Sequence, residues 1–326
     1  MEFRRGLGCG LNGETLENNL EQTLDRRDAP SGLRSFLFAP GNHPRKVEKV
    51  FGAGADVVIL DLEDAVAVAE KEATRAVVVA AMRSPRQSLG YVRVNSSESR
   101  WCSGDLEAVV GPWLDGIVLP KAESAEQVRE ISERIAECER RAGMKPGTLD
   151  LMPLVETARG VEFSAAIAGA SPRVSRLAFG GGDYTTDLDL TWTPEEHELA
   201  YARAKLTHGS RVAGIEPPVD TVVIQIKDIE RFRQSAQNGR RMGFTGKLCI
   251  HPDQVMPCNE TFTPTRPEVE RARAVIRAFE QSEAQGSASI QVDGQFIDYP
   301  IVAKARRVLA LVERVEVGLP EGSRKG

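Results

Sequence analysis

The chain has 326 residues and a mass of 35.6 kDa, enough for one large core or two smaller ones. Apolar residues make up 41% and charged residues 27%, an ordinary globular composition that leaves disordered and fibrous classes aside. The net charge of −5 lacks the basic excess that nucleic-acid or anionic-membrane partners require, and no apolar run approaches the roughly 18 residues that cross a bilayer.

Residues 1–30 read as a polar arm, on which Leu16, Leu20 and Leu24 share one face of a short helix. From Ser35 onward, short apolar and β-branched runs alternate with amphipathic stretches. The predicted strands are Ser35–Ala39, Val57–Leu62, Tyr91–Val94, Gly116–Leu119, Leu151–Val155, Arg176–Phe179, Thr221–Ile226 and Lys247–Ile250. Between and after them the spacing predicts helices over Arg45–Phe51, Val66–Met82, Gly104–Val110, Ala125–Arg141, Ala158–Ala168, Pro194–Val212, Ile229–Met242, Pro267–Ser282 and Val302–Val315. Glu283–Gly294 has loop composition. Near-continuous apolar strands alternating with helices indicate a parallel sheet, and eight such units fit a (β/α)₈ (TIM) barrel with a C-terminal helical extension. The organisation expected is an arm over 1–30, a catalytic barrel over 31–260, and an extension over 261–326 that packs on a neighbouring subunit.

The N-terminus MEFRRGLGCG has no long apolar core of a secretory signal, and the five cysteines, Cys9, Cys102, Cys138, Cys249 and Cys258, form no Cys-x-x-Cys. A reduced, cytoplasmic setting is the reading, and the sequons at Asn95 and Asn259 are then chance matches. The G-x-G-x-x-G match at Gly8–Gly13 follows no predicted strand, so it does not indicate dinucleotide binding. Walker A, His-Glu-x-x-His and Gly-x-Ser-x-Gly patterns are absent from the sequence.

A barrel of this kind carries its chemistry at the C-terminal ends of its strands. Those ends read Asp61-Leu62-Glu63-Asp64, Arg93-Val94-Asn95, Pro120-Lys121, Glu156-Thr157, Gly180-Gly181-Gly182-Asp183 and His251-Pro252. Glu156 and Asp183, from adjacent strands, form a pair of hard oxygen donors suited to Mg²⁺, with Mn²⁺ the alternative; capping of the following helices is the structural reading of Thr157 and Asp183. Arg93 offers a planar fork for a substrate carboxylate, or an ion pair at the barrel mouth. Gly181 and Gly182 let a ligand approach backbone N–H groups, and Lys121 serves an anion or pairs with Glu123. Strand alternation sends Asp61 and Glu63 to one face and Asp64 to the other. His251 is a general acid–base or a structural histidine, and Cys249 belongs to the core.

The stretches RSFLFAPGNHPRKVEKVFGAGADVVILDLEDAV, YVRVN, DGIVLPKAES, LVETARGV, LAFGGGDYTTDL, MGFTGKLCIHPDQV, FTP and DGQFIDYP resemble the citrate lyase β-subunit-like branch of the HpcH/HpaI aldolase family. The resemblance spans residues 34 to about 315. It implies a (β/α)₈ barrel, with Glu156 and Asp183 as Mg²⁺ ligands, Arg93 on the substrate's oxygens, and Glu63 and Asp64 lining the same pocket. It also implies that Asp298, which the local sequence alone marks as a turn residue, reaches a neighbouring subunit's site in a homotrimer or hexamer. The implied reaction is reversible carbon–carbon cleavage of a 3-hydroxyacyl thioester, of the malyl-, citramalyl- or citryl-CoA type, to an acetyl-type thioester and a 2-oxo acid. Arg45, Lys46 and Lys49 would then meet CoA phosphates or form a solvated helix face. The alternatives are an aldolase on free hydroxy-oxo acids and a citrate lyase β subunit served by an acyl-carrier protein. Departures from the family pattern are DLDLTWTP after Asp183, Gln225 in VVIQIKD, the Glu216-Pro217-Pro218 loop and the long arm.

Overall fold

The fold is described from a computed structural model covering residues 31–286, 289–292 and 294–317. The expected helix through Leu16, Leu20 and Leu24 lies outside the described residues. Eight parallel strands close a barrel in sequential order: β1 Ser35–Pro40, β2 Val57–Asp61, β3 Leu89–Arg93, β4 Gly116–Leu119, β5 Asp150–Val155, β6 Ala178–Phe179, β7 Val219–Asp220 and β8 Gly246–Cys249. Helices α1 Pro44–Val50, α2 Lys71–Met82, α3 Cys102–Val109, α4 Ala125–Arg141, α5 Ala158–Glu162, α6 Ser164–Ala168, α7 Gly181–Asp187, α8 Ala200–Ala213 and α9 Ile229–Arg241 lie along the chain between the strands, and α10 Val255–Phe262 follows β8.

Both faces of the strands are buried, which is why they read as continuous apolar runs. Phe36, Ile59, Tyr91, Val118, Met152, Leu154, Val219 and Leu248 fill the lumen. Their neighbours Leu37, Val58, Leu60, Val92, Ile117, Leu151 and Cys249 face the helices in a second layer. The helix α4 shows the matching pattern. The Ser124 side chain accepts from the N–H of Gln127, Val128, Ile131 and Ile135 face inward, and Arg140 and Arg141 complement the C-terminal end of the dipole.

The seventh strand departs from expectation. Residues 221–226 do not form the strand that their Val-Val-Ile-Gln-Ile pattern predicts; pairing stops at Asp220, and Ile224 and Ile226 are exposed. The neighbouring β6 ends at Phe179, so residues past Asp220 have no strand beside them on that side. The sequence also hides α7, in a glycine-rich segment, and α10 beyond the last strand. Expected helices over 66–82, 158–168 and 194–212 open as a 3₁₀ turn at Val68–Glu70, break at Phe163, and start at the turn His197–Leu199, respectively.

After the barrel, α11 Arg266–Glu283 opens with a capping box between Thr265 and Glu268. A hairpin of β9 Ile290–Val292 and β10 Gln295–Ile297 follows, part of it within the stretch expected to be loop, and α12 Tyr299–Val317 closes the described chain. These elements share a small core of their own, formed by Ala272, Val275, Phe279, Ile297, Val302 and Ala305. Among the described residues no helix is long and apolar enough to cross a membrane.

Candidate active site

Following the inward-facing positions up each strand gives the site. Past Ile59, Tyr91 and Leu154 in the lumen, the next inward residues are Asp61, Arg93 and Glu156. The β2–β3 register sets Asp61 opposite Arg93. Arg93 Nε donates to Asp61 Oδ1 at 2.7 Å and Nη2 to Oδ2 at 2.6 Å, a bidentate pair. Asp61 also accepts the backbone N–H groups of Glu63 and Ala65. Burial alone would raise the Asp61 carboxyl, but the Arg93 charge and these hydrogen bonds outweigh it and hold the group below its usual range. Arg93 Nη1 lies 3.0 Å from Glu63 Oε2, and the guanidinium stands 5.0 Å from the Phe38 ring centroid. Asp61 takes two of the five N–H donors and Glu63 stands beside a third nitrogen, which leaves N–H donors for a ligand.

Glu156 is the opposite case. Its side chain is buried, its Oε1 accepts the Lys121 backbone N–H at 2.9 Å, and among the described residues no cation forms an ion pair with it. Burial, opposed by Arg93 but reinforced by Asp183 and Glu63, raises its carboxyl to about 8. Gly180 makes this placement feasible, because a Cβ there would stand 2.4 Å from Glu156 Oε2. Lys121 adopts φ +50°, a left-handed conformation costly for a residue with a Cβ, and its N–H thereby meets Glu156. Its ammonium lies 3.5 Å from Glu63 Oε1 and 3.9 Å from Asp183 Oδ2. Asp183 sits in the first turn of α7, half-exposed, where the helix dipole favours a carboxylate.

These groups open onto a cavity of about 690 Å³. Asp61, Asp64, Arg93, Glu156, Gly182 and Asp183 form its acidic side. Arg45, Lys46 and Lys49 of α1 form a basic side, with Phe38, Leu154 and Leu248 as apolar lining. His251 also borders the cavity, and its Nδ1 accepts the Asp253 N–H at 3.3 Å.

Four of the expected site residues are placed elsewhere. Glu63 does not border the cavity: it is buried against Arg93 and Lys121, while the exposed Asp64 does border it. Gly181 is buried and spends its N–H on Thr221 Oγ1 at 2.7 Å. Lys121 acts on the site through its backbone and stands outside the lining. Asp298 lies away from the cavity of its own chain and starts α12, its carbonyl accepting from Ile301 and Val302. Asn95 is structural, bracketed by Lys71, Asp105 and the Leu62 carbonyl. Asp61 as the partner that aims Arg93, and Thr221 beside α7, carry no signal in the sequence that separates them from other strand-end polar residues.

The acid pair fits a hard divalent cation. Among the described residues no set of three or more His, Cys, Asp or Glu side chains gathers as a cage. Two carboxylates suffice for Mg²⁺, which keeps water and substrate oxygens in its remaining positions. A buried carboxyl raised to about 8 is a group whose charge the protein leaves uncompensated.

The HpcH/HpaI aldolase/citrate lyase family model matches residues 34–252. The chain belongs to this family. Citrate lyase subunit beta of Leuconostoc mesenteroides subsp. cremoris is 36% identical over 296 residues, covering 89% of this chain and 96% of that protein. A (3S)-malyl-CoA thioesterase of Cereibacter sphaeroides is 33% identical, covering 87% and 95%. Among solved structures, CitE from Mycobacterium tuberculosis in complex with magnesium, acetoacetate and coenzyme A matches with a TM-score of 0.70 and 28% identity, over 86% of this chain and 98% of that one. The HpcH/HpaI member described here is thus a lyase of the citrate lyase β-like kind, on the barrel its sequence predicts.

Proposed function

We propose that the enzyme is a Mg²⁺-dependent carbon–carbon lyase that cleaves or forms a 3-hydroxyacyl thioester of the citryl, malyl or citramalyl type. The products of cleavage are an acetyl-type thioester and a 2-oxo acid. The observation that carries this reading is Glu156, a buried and uncompensated carboxyl facing Asp183 across from Arg93 in one cavity. Support also comes from the magnesium and coenzyme A of the M. tuberculosis neighbour.

Glu156 and Asp183 would hold the metal, which supplies Lewis-acid polarisation of the oxo-acid oxygens when bound. Arg93, aimed by Asp61, binds the carboxylate or the developing oxyanion with its remaining N–H groups. Arg45, Lys46 and Lys49 meet the phosphates of the thioester carrier from the other side of the cavity. In cleavage, the 3-hydroxyl passes its proton to a carboxylate bordering the cavity, its oxygen becomes the carbonyl of the 2-oxo acid, the C2–C3 bond breaks, and that bond's electron pair passes to the thioester enolate. A proton then returns to C2. Asp298 of a second copy is the acid–base group assigned to that proton; within the chain the alternative is Asp64, which borders the cavity as the buried Glu63 does not. Exposed Phe296, Tyr299 and Ile301 flank Asp298, and exposed Ile224, Ile226 and Ile250 lie in and beside the last two strand-end loops, complementary apolar surfaces for a homotrimer or hexamer.

The test is a panel of malyl-, citramalyl- and citryl-CoA with Mg²⁺ or EDTA, following released thioester and 2-oxo acid by mass spectrometry. Mg²⁺-dependent cleavage of one member is expected. Cleavage only of carrier-protein-bound citryl would favour the second reading, a citrate lyase β subunit, to which the 36% identity with such subunits points.

A further inference from the structure

The two acids of the site are fixed by different means. Glu156 is held by its own hydrogen bond, from the Lys121 N–H. Asp183 accepts no hydrogen bond among the described residues; its nearest partner is the Lys121 ammonium at 3.9 Å. Its position is therefore set by the placement of α7. At its far end, α7 is tied by Asp187, which accepts the Ala158 N–H at 2.8 Å, and by Tyr184, edge-on to Phe179. At its near end the preceding Gly180 donates its N–H to the Val155 carbonyl of β5 at 3.0 Å, and the first residue of the helix itself is held by the Gly181 N–H on Thr221 Oγ1. Thr221 is fully buried. It is tightly apposed, since a Cβ on Gly181 would stand 2.8 Å from Oγ1 and 3.1 Å from Cγ2.

Thr221 in turn follows a rigid anchor. Asp220 accepts Arg203 Nε at 2.9 Å and Nη2 at 3.0 Å, and Lys247 Nζ at 2.8 Å. Lys247 and Glu196 are joined through Ser235, and Glu196 returns to Arg203. All five side chains are buried. This network fixes β7 where the strand is only two residues long and cannot be fixed by ladder bonds alone.

We propose that Thr221 is a positioning residue of the lyase site: its buried hydroxyl, anchored through Asp220, holds the first turn of α7 and so sets the distance between Asp183 and Glu156. This rests on the Mg²⁺ reading above. Thr221 borders the same cavity, but the role proposed acts through α7 and does not require contact with substrate.

Mg²⁺ binding to the whole enzyme, followed by titration calorimetry, tests it. Thr221→Val keeps the shape and removes the acceptor, and it should weaken Mg²⁺ binding about 10- to 100-fold, the range seen when supports of metal ligands are removed. Thr221→Ser keeps the acceptor and should bind Mg²⁺ as the unaltered enzyme does. Gly181→Ala, which crowds the same contact from the other side, should follow Thr221→Val. If Thr221→Val does not fold, Thr221→Ala takes its place. A valine variant that melts earlier but binds Mg²⁺ normally, or a serine variant as weak as the valine one, would overturn the inference while leaving the proposed function standing. Failure of the unaltered enzyme to bind Mg²⁺ would overturn both.

Discussion

Two clusters of charge in the same barrel behave in opposite ways. Behind β7 and β8, outside the barrel wall, Arg203 and Lys247 meet Asp220 and Glu196, and every charged group has a partner of opposite sign. The Asp220 carboxyl, which burial would raise, is held below its usual range by Lys247 and Arg203. At the top of the lumen, Arg93 and Lys121 face Asp61, Glu63, Asp64 and Asp183 as well as the buried Glu156, and Glu156 is left with its carboxyl raised to about 8. A closed, balanced network is what a scaffold requires, since an unpaired buried charge is costly. An unbalanced one persists where a further positive charge completes it. Compensation, more than burial, separates framework from site in this barrel.

Removing either acid of the unbalanced cluster should have the largest effect. Glu156→Gln and Asp183→Asn are expected to lower Mg²⁺-dependent turnover by roughly 1,000-fold or more, in line with losing preorganised charge at the reacting centre, while the fold survives. Steady-state kinetics with circular dichroism checks both halves, and undiminished turnover in both variants would sink the metal assignment. The balanced cluster should respond in the reverse sense. Asp220→Ala leaves Lys247 without a carboxylate and Arg203 with Glu196 alone, so it should cost about 3–5 kcal/mol of stability by chemical denaturation, and turnover per folded molecule should suffer far less than in the acid variants.

Arg93→Lys probes the border between the two behaviours. An ammonium cannot reproduce the bidentate contact with Asp61, so the charge remains and its aim is lost. A fall of about 100-fold in kcat/KM is expected, with little change in melting temperature. A variant with native kcat/KM would show that Arg93 serves only to neutralise Asp61 and Glu63.

Much of this barrel is legible because its strands are buried on both faces and their length is set by the lumen. Runs such as Val57–Leu62 and Gly116–Leu119 announce themselves by composition. The strand ends are legible for the same reason, since polar residues stand out where an apolar run stops, and this brings Asp61, Arg93, Glu156 and Asp183 into view. Three kinds of feature were not. The seventh strand was misplaced because β-propensity in Val222–Ile226 is overridden by the early end of β6, a tertiary fact. Glu63 and Asp64 exchanged places at the cavity because alternation holds only while the chain stays a strand, and β2 ends at Asp61. The roles of Thr221 and of the Asp220 network depend on contacts between residues 39 or 40 positions apart in some cases, which no local pattern encodes.

The smallest effect separates the two clusters by pH alone. Glu156 titrates near 8 in the fold against a usual value of 4.5, so between those values the native state holds a proton that the unfolded chain has released. Stability of the metal-free enzyme must therefore fall as pH rises through that window, by at most about 1.4 kcal/mol per pH unit from this group. Asp220 is depressed below its usual 3.8, so the stability it lends is present above that value and is lost only as pH falls through its lower folded value. Denaturation of the metal-free protein at pH 5, 6, 7 and 8 should accordingly show a downward slope that Glu156→Gln flattens. Mg²⁺ should offset that slope, because binding requires the carboxylate and releases the proton, so the stabilisation it confers should grow from pH 6 to pH 8. A slope untouched by Glu156→Gln would mean that Glu156 is already compensated within the fold, and the contrast between the two clusters would then be lost.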